Sequence, residues 1–181
     1  GWVSLTDSDW VTFFAKNSVS GVVWAQGANT ADSINDDECP SLQELIDANV
    51  VFIVKTLRAL LRRGVLAPDS ALVILSSIWQ DFSRSDKLSY TVTKAALAGL
   101  VRSLVADLGP QGLRVNAVLP GVVDSEMSRA FLSAEQLARI AAGTPSRQLV
   151  TPTEVGSVCA WLAGPKSAGV SGQFIAVDGG W

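Results

Sequence analysis

Short β-branched runs alternate along this chain with longer stretches of helical periodicity, and no other feature narrows the possible folds as much. Val19 to Ala25, Ala71 to Leu75, Leu113 to Leu119 and Gln173 to Val177 read as buried strands. Between them, Leu42 to Arg63, Leu88 to Leu108 and Pro152 to Ala163 carry apolar residues at helical spacing. Strands separated by helices build βαβ units, and βαβ units build a parallel sheet. The punctuation agrees. Arg62 and Arg63 form a basic last turn before a C-capping Gly64, Gly109-Pro110 stops the second helix, and Pro120-Gly121 ends the third strand. Thr151, Pro152 and Glu154 make an N-cap, a first-turn proline and a capping box. Asn35 to Pro40 reads as a loop, and Ser125 to Ala142 as a helix or lid. With 181 residues, no internal repeat and no low-complexity linker, residues 1–181 are expected to form one α/β domain.

Within that frame three residues stand out. Ser77 follows the apolar run Ala71 to Leu75, beyond the carboxyl end of a predicted strand. Tyr90 and Lys94 are four apart near the start of the next helix, so their side chains share one face. A hydroxyl, a phenol and an ammonium therefore converge at the sheet edge where open α/β folds bind ligands. The chain has no histidine, which excludes a histidine base and the usual zinc sites; no metal site is predicted. Tyr90 is the only tyrosine. A net charge of −3 offers no electrostatic footprint for nucleic acid or an anionic membrane. No apolar run reaches membrane-spanning length. Cys39 and Cys159 form no CxxC, which fits two unpaired thiols in a reducing cytoplasm.

Taken together, Asn49 in IDANVVF, Ser77, the YxxxK of Tyr90 and Lys94, RVNAVLPG at Arg114 to Gly121 and the terminal SGQFIAVDGG resemble the short-chain dehydrogenase/reductase family. The resemblance runs from Val19 to the end of the chain. It implies a Rossmann-like fold in which Tyr90 exchanges the proton of a substrate hydroxyl while a nicotinamide cofactor, NAD(P)(H), exchanges a hydride. It implies that Ser77 binds the substrate oxygen, that Lys94 also holds the nicotinamide ribose, and that Asn49 anchors a helix kink and a water. Pro120, Gly121, Val123 and Ser125 fall where the family meets the nicotinamide, with serine standing for the usual threonine. Gly27 alone keeps its place in the family's Asn-Ala-Gly turn. The chemistry of the trio is consistent with this. A phenol titrates near 10, and an ammonium one turn away favours the phenolate. Ser77 can stabilise charge on the substrate oxygen. Trp24, Trp79 and Trp161 read as core or pocket-wall residues.

The family opens with a strand, a TGxxxGxG turn and a pyrophosphate-binding helix. Gly1 to Lys16 resembles instead the end of the third strand and the helix after it, with Ser4 where an aspartate usually stands near the adenine. The first two strands and the glycine-rich turn are thus absent from the sequence, and the choice between NAD and NADP is not legible. The strand at Val19 is expected to be an exposed edge, so the chain is either a piece of a longer enzyme or covers that edge with another chain. Three functions stay open: an NAD(P)-dependent oxidoreductase for a small alcohol or ketone, an inert binding or assembly protein of the same fold, and a nucleotide-sugar reductase or epimerase. The resemblance also implies a homodimer through the first two long helices, or a homotetramer where the final strand adds a second interface.

Overall fold

The computed structural model describes residues 18–36 and 41–181. Gly1 to Lys16, Ser4 and Cys39 lie outside them. Four strands form one parallel sheet in the order β1 (Val19–Trp24), β2 (Leu66–Leu75), β3 (Arg114–Pro120), β4 (Phe174–Val177). Helix α1 (residues 41–62) links β1 to β2, and α2 (Leu88–Leu108) links β2 to β3. Between β3 and β4 come α3 (Glu126–Phe131), α4 (Ala134–Gly143) and α5 (Pro152–Ala163). The α/β fold is the one the alternation predicts.

Strand alternation separates two cores. Leu72, Ile74, Val115, Ala117 and Leu119 point to one face, where Ile53 and Leu57 of α1 and Leu97 and Val101 of α2 cover them. Val73 and Val118 point to the other, under Val155, Cys159 and Leu162 of α5. Because both faces are buried, the strands read as continuous apolar runs. On α5 the same geometry puts Trp161 outward, 42% exposed, which corrects its expected place in the core. Trp24 is buried as expected, its Nε1 donating to Thr56 Oγ1 at 2.8 Å.

Several boundaries differ from the sequence reading. β2 begins at Leu66 rather than Ala71, because Leu66 pairs with Val19 ahead of an irregular stretch at Asp69 (φ 60°). Pro68-Asp69 disguises that extension as a turn. The region from Ser125 is two helices, separated where Ser133 starts a new capping box with Gln136. The expected box at Thr151 and Glu154 is present, with a Thr151 N–H to Glu154 Oε2 bond of 2.7 Å. Gly64 closes α1 at φ 62°, a left-handed conformation that glycine adopts without a Cβ penalty. Among the described residues, no strand pairs with the outer edge of β1.

Candidate active site

The carboxyl ends of β1, β2 and β3 open into a cavity of about 590 Å³, a size typical of small-molecule sites. Ser77, Tyr90, Lys94, Gly27, Pro120, Gly121, Val123 and Ser125 all line it. Asn49 does not; it stands behind the wall. Ser77 leaves β2 in an extended conformation and starts a short 3-10 turn, its Oγ accepting from Trp79 N–H at 3.3 Å. That turn holds the hydroxyl in the cleft beside Tyr90, where it favours the phenolate. Lys94, one turn further along α2, sets its Nζ 5.6 Å from the centroid of the Tyr90 ring and donates to Leu75 O at 3.1 Å. The helical spacing therefore brings the predicted trio together.

Electrostatics corrects one expectation. Tyr90 is pushed above its ordinary value by burial, and the opposing pull comes from the Ser77 hydrogen bond rather than from the lysine. Lys94 is itself desolvated, which lowers its pKa to about 8. The buried ammonium therefore loses its proton more readily than one in the open, although while charged it acts on the phenol through a low-dielectric surrounding.

Asn49 explains how the walls are tied. α1 opens into a π turn at Asp47–Val51, and such turns relax the regular ladder at functional places. Asn49, 1% exposed, accepts from Ala28 N–H at 2.7 Å. Its Nδ2 donates to Ala28 O at 3.0 Å and to Thr93 Oγ1 at 3.0 Å. Thr93 in turn donates to Tyr90 O at 2.9 Å. The amide thus clamps the loop after β1 to the helix bearing Tyr90. A Cβ on Gly27 would come within 3.3 Å of Asn49 Oδ1 and 3.7 Å of Lys94 Nζ, so glycine keeps this corner open. Gly121 is needed for close packing, since a Cβ there would meet Asp178 at 3.0 Å. Ser125 caps α3, accepting from Ser128 N–H at 3.3 Å, so its hydroxyl has a structural partner besides any ligand.

Four contributors escaped the sequence reading. Asp32 crosses from the loop after β1 to cap α2, accepting from Ser89 N–H at 3.0 Å and from the Ser89 hydroxyl. Thr93 links Asn49 to Tyr90. Neither carries a local signal, because their partners are 57 and 44 residues away. Lys87 lies three residues before Tyr90, and that spacing could have revealed it. Gln26 also lines the cleft, and its buried Nε2 has no hydrogen-bond partner. A buried donor without an acceptor is costly unless a ligand supplies one. With Gly27 and Lys94 beside it, the cleft suits the nicotinamide end of a dinucleotide. Among the described residues no glycine-rich turn is present to hold a pyrophosphate.

Comparison with known proteins fits this geometry. Residues 15–181 match the family described as enoyl-(acyl carrier protein) reductase. The uncharacterized oxidoreductase YmfI of Bacillus subtilis is 32% identical over 174 residues, covering 96% of this chain and 72% of that protein. Oxidoreductase UcpA of Escherichia coli is 32% identical over 143 residues, covering 75% of this chain but only 54% of its own length. Among solved structures, a short chain dehydrogenase family protein from Francisella tularensis superposes with a TM-score of 0.86 at 24% identity, over 96% of this chain and 75% of that one. A 3-oxoacyl-[acyl-carrier protein] reductase from Brucella melitensis, solved with bound NAD, gives 0.78 at 28% identity, over 89% and 61%. The chain thus spans between about half and three quarters of these relatives.

Proposed function

The chain belongs to the short-chain dehydrogenase/reductase family, an oxidoreductase family, and from that premise we propose that it interconverts a hydroxyl and a carbonyl on a small molecule, using NAD(P)(H), through Ser77, Tyr90 and Lys94. One observation carries the reading: the chain's single phenol, the Ser77 hydroxyl and the Lys94 ammonium line one cleft at the sheet's carboxyl edge, with Lys94 Nζ 5.6 Å from the Tyr90 ring centroid. When bound, the nicotinamide supplies or accepts the hydride. Tyr90 gives the proton to the carbonyl oxygen in reduction and takes it from the hydroxyl in oxidation. Ser77 donates a hydrogen bond to that oxygen as charge develops on it. Lys94 holds positive charge next to the phenol, and Gly27, Pro120, Gly121, Val123 and Ser125 shape the nicotinamide end. The relative with bound NAD supports a nicotinamide dinucleotide but not a choice between NAD and NADP.

A homo-oligomer built through α1 and α2 is part of the same proposal. Phe52 and Val92 are about half exposed, and Ala95, Ala96 and Gly99 make an uncovered small-residue face on α2. The Phe52–Arg62 part of α1 is otherwise amphipathic, with Lys55, Arg58 and Arg62 outward, so the interface would centre on α2. Light scattering that finds a monomer would remove this part.

The test of the activity is a titration of the protein with NADH and NADPH, followed by turnover of alcohols and ketones at the nicotinamide absorbance. Binding of one nucleotide and loss of turnover in Tyr90→Phe are expected. Because reduction needs the phenol and oxidation the phenolate, the oxidation rate should rise with pH while reduction falls. Failure of both nucleotides to bind overturns the proposal in favour of an inert member of the fold, and an active Tyr90→Phe overturns the role given to the phenol.

A further inference from the structure

The charge in the cleft is one-sided. Among the described residues its lining holds Arg84, Lys87 and Lys94 and no Asp or Glu, although the chain carries a net charge of −3. Lys94 belongs to the reacting trio. The other two cations have no part in it, and both come from the segment between Ser77 and Tyr90.

Lys87 is 6% exposed. Its Nζ donates to Asn29 Oδ1 at 2.8 Å and to Thr30 O at 3.1 Å, and an ammonium has a third N–H to give. It lies 5.5 Å from the centroid of the Tyr90 ring and 5.3 Å from that of Phe131. Burial, and then the neighbouring Arg84 charge, lower its pKa, while Asp32 pulls it back up. Holding an ammonium there as a mere strut between loop and helix would satisfy two hydrogen bonds at a desolvation cost. Arg84 lacks even that explanation. It is exposed at the cleft, stacks 5.6 Å from the Trp79 ring centroid and forms no ion pair with a described carboxylate. Two cations converge beside the reacting phenol, backed by aromatic faces. The nearby carboxylate, Asp32, acts on Lys87 but is engaged by the Ser89 N–H and hydroxyl. Arg84 has no described carboxylate partner, so the site is complementary to an anion.

We propose, building on the reading of Tyr90 given above, that the substrate carries an anionic oxygen group, a carboxylate or a phosphate ester, which Arg84 and Lys87 hold while its carbonyl or hydroxyl meets Ser77 and Tyr90. The carbon body between the two groups lies against Trp79 and Phe131. Arg84, on the exposed loop, sets the preference for charge, and Lys87 fixes the position of the anion relative to the phenol.

The experiment compares matched pairs on the purified protein: acetoacetate, 4-oxopentanoate and 5-oxohexanoate, each against its methyl ester, and dihydroxyacetone phosphate against dihydroxyacetone. Binding is read by tryptophan fluorescence and calorimetry, with turnover measured alongside using NADH and NADPH. At least one anion should bind on the order of tenfold more tightly than its neutral partner, the size expected of one well-placed charged contact. The pair with the largest gap separates carboxylate from phosphate. Arg84→Gln, a change at an exposed position, should close most of that gap and leave the affinity for the nicotinamide cofactor unchanged. Lys87→Gln should raise KM for the anion more than it lowers kcat. Equal binding of acids and esters, discrimination that survives Arg84→Gln, or no binding of any anion up to about 10 mM overturns the proposal. Anion preference without turnover of any compound would keep the anion site and remove the redox reading. Equal kcat/KM for charged and neutral ketones would do the reverse.

Discussion

Two cations are sunk into this fold at opposite ends of its logic. Arg114, at the start of β3, donates to five acceptors in the last turn of α5 and the segment after it: Ser167 O at 2.8 Å, Ser167 Oγ, Val170 O, Leu162 O and Gly164 O. Beside it the fully buried Asn116 donates to Val170 O at 2.9 Å and accepts from Gln173 N–H at 3.0 Å. These carbonyls include the unpaired end of α5, so one side chain finishes a helix and fastens β4 to the sheet. Lys94 is buried more deeply than the half-buried Arg114, yet among the described residues it donates to one acceptor, Leu75 O. Around it stand a phenol shifted by burial, a second desolvated lysine and an amide nitrogen with no partner. The first region spends its polar capacity on the protein; the second holds it back for something that binds. Burial alone therefore does not mark a functional polar group. The number of hydrogen bonds still open to it does.

The sharpest way to break this contrast is to remove one group from each side. Tyr90→Phe should cut turnover by roughly 10²–10⁴, the usual share of a positioned proton donor, with little change in the thermal midpoint. A large fall in stability would mean the phenol is structural. Arg114→Met should do the opposite, costing about 3 kcal/mol in denaturant unfolding by stranding several buried carbonyls, with kcat preserved in the folded fraction. A loss under about 1 kcal/mol would show that the network is not what secures β4. Asn49→Ala sits between the regions and should lose on both counts, about 1–2 kcal/mol of stability together with lower turnover, because it anchors the loop after β1 and, through Thr93, the helix of Tyr90.

The smallest effect is a pH dependence. Lys94 titrates near 8 in the fold and near 10.5 when unfolded. Between those values the unfolded chain binds the extra proton, so stability rises with pH through that window, and below about 8 the full burial penalty applies. Lys94→Met should flatten the rise by on the order of 1–2 kcal/mol in urea midpoints compared from pH 7.5 to 9.5. Tyr90 acts above that window with the opposite sign, since a raised phenol pKa loses stability as the pH climbs past its unfolded value near 10. A variant with an unchanged slope would mean that Lys94 is better solvated than its surroundings indicate.

The strands, the three long helices and the trio could be read from the chain because each depends on spacing within a few residues. A period of two fixes which strand residues share a face, and a spacing of four fixes Tyr90 beside Lys94. The twelve residues between Ser77 and Tyr90 carry no such rule, yet the strand end and helix start on either side place both at one edge. Lys87 obeyed the same helical spacing and was legible in principle. The π turn at Asn49 could not be read from spacing, since a relaxed helical turn is chosen by the groups that its side chain can reach; only the family resemblance implied a kink there. The two-part region after Ser125 was also hidden, because a serine that caps a helix looks the same in sequence as one exposed within it.

What the amino-acid order determined by itself was the parallel α/β architecture and the face that each side chain takes on its own element, both consequences of backbone geometry acting over one or two turns. Only the tertiary structure decided which elements meet. It joined Asp32 to Ser89 and Asn49 to Thr93, and it gathered three cations in a cleft whose described lining holds no carboxylate. It also set the protonation of Tyr90 and Lys94, since desolvation depends on everything packed around a group and not on its neighbours along the chain.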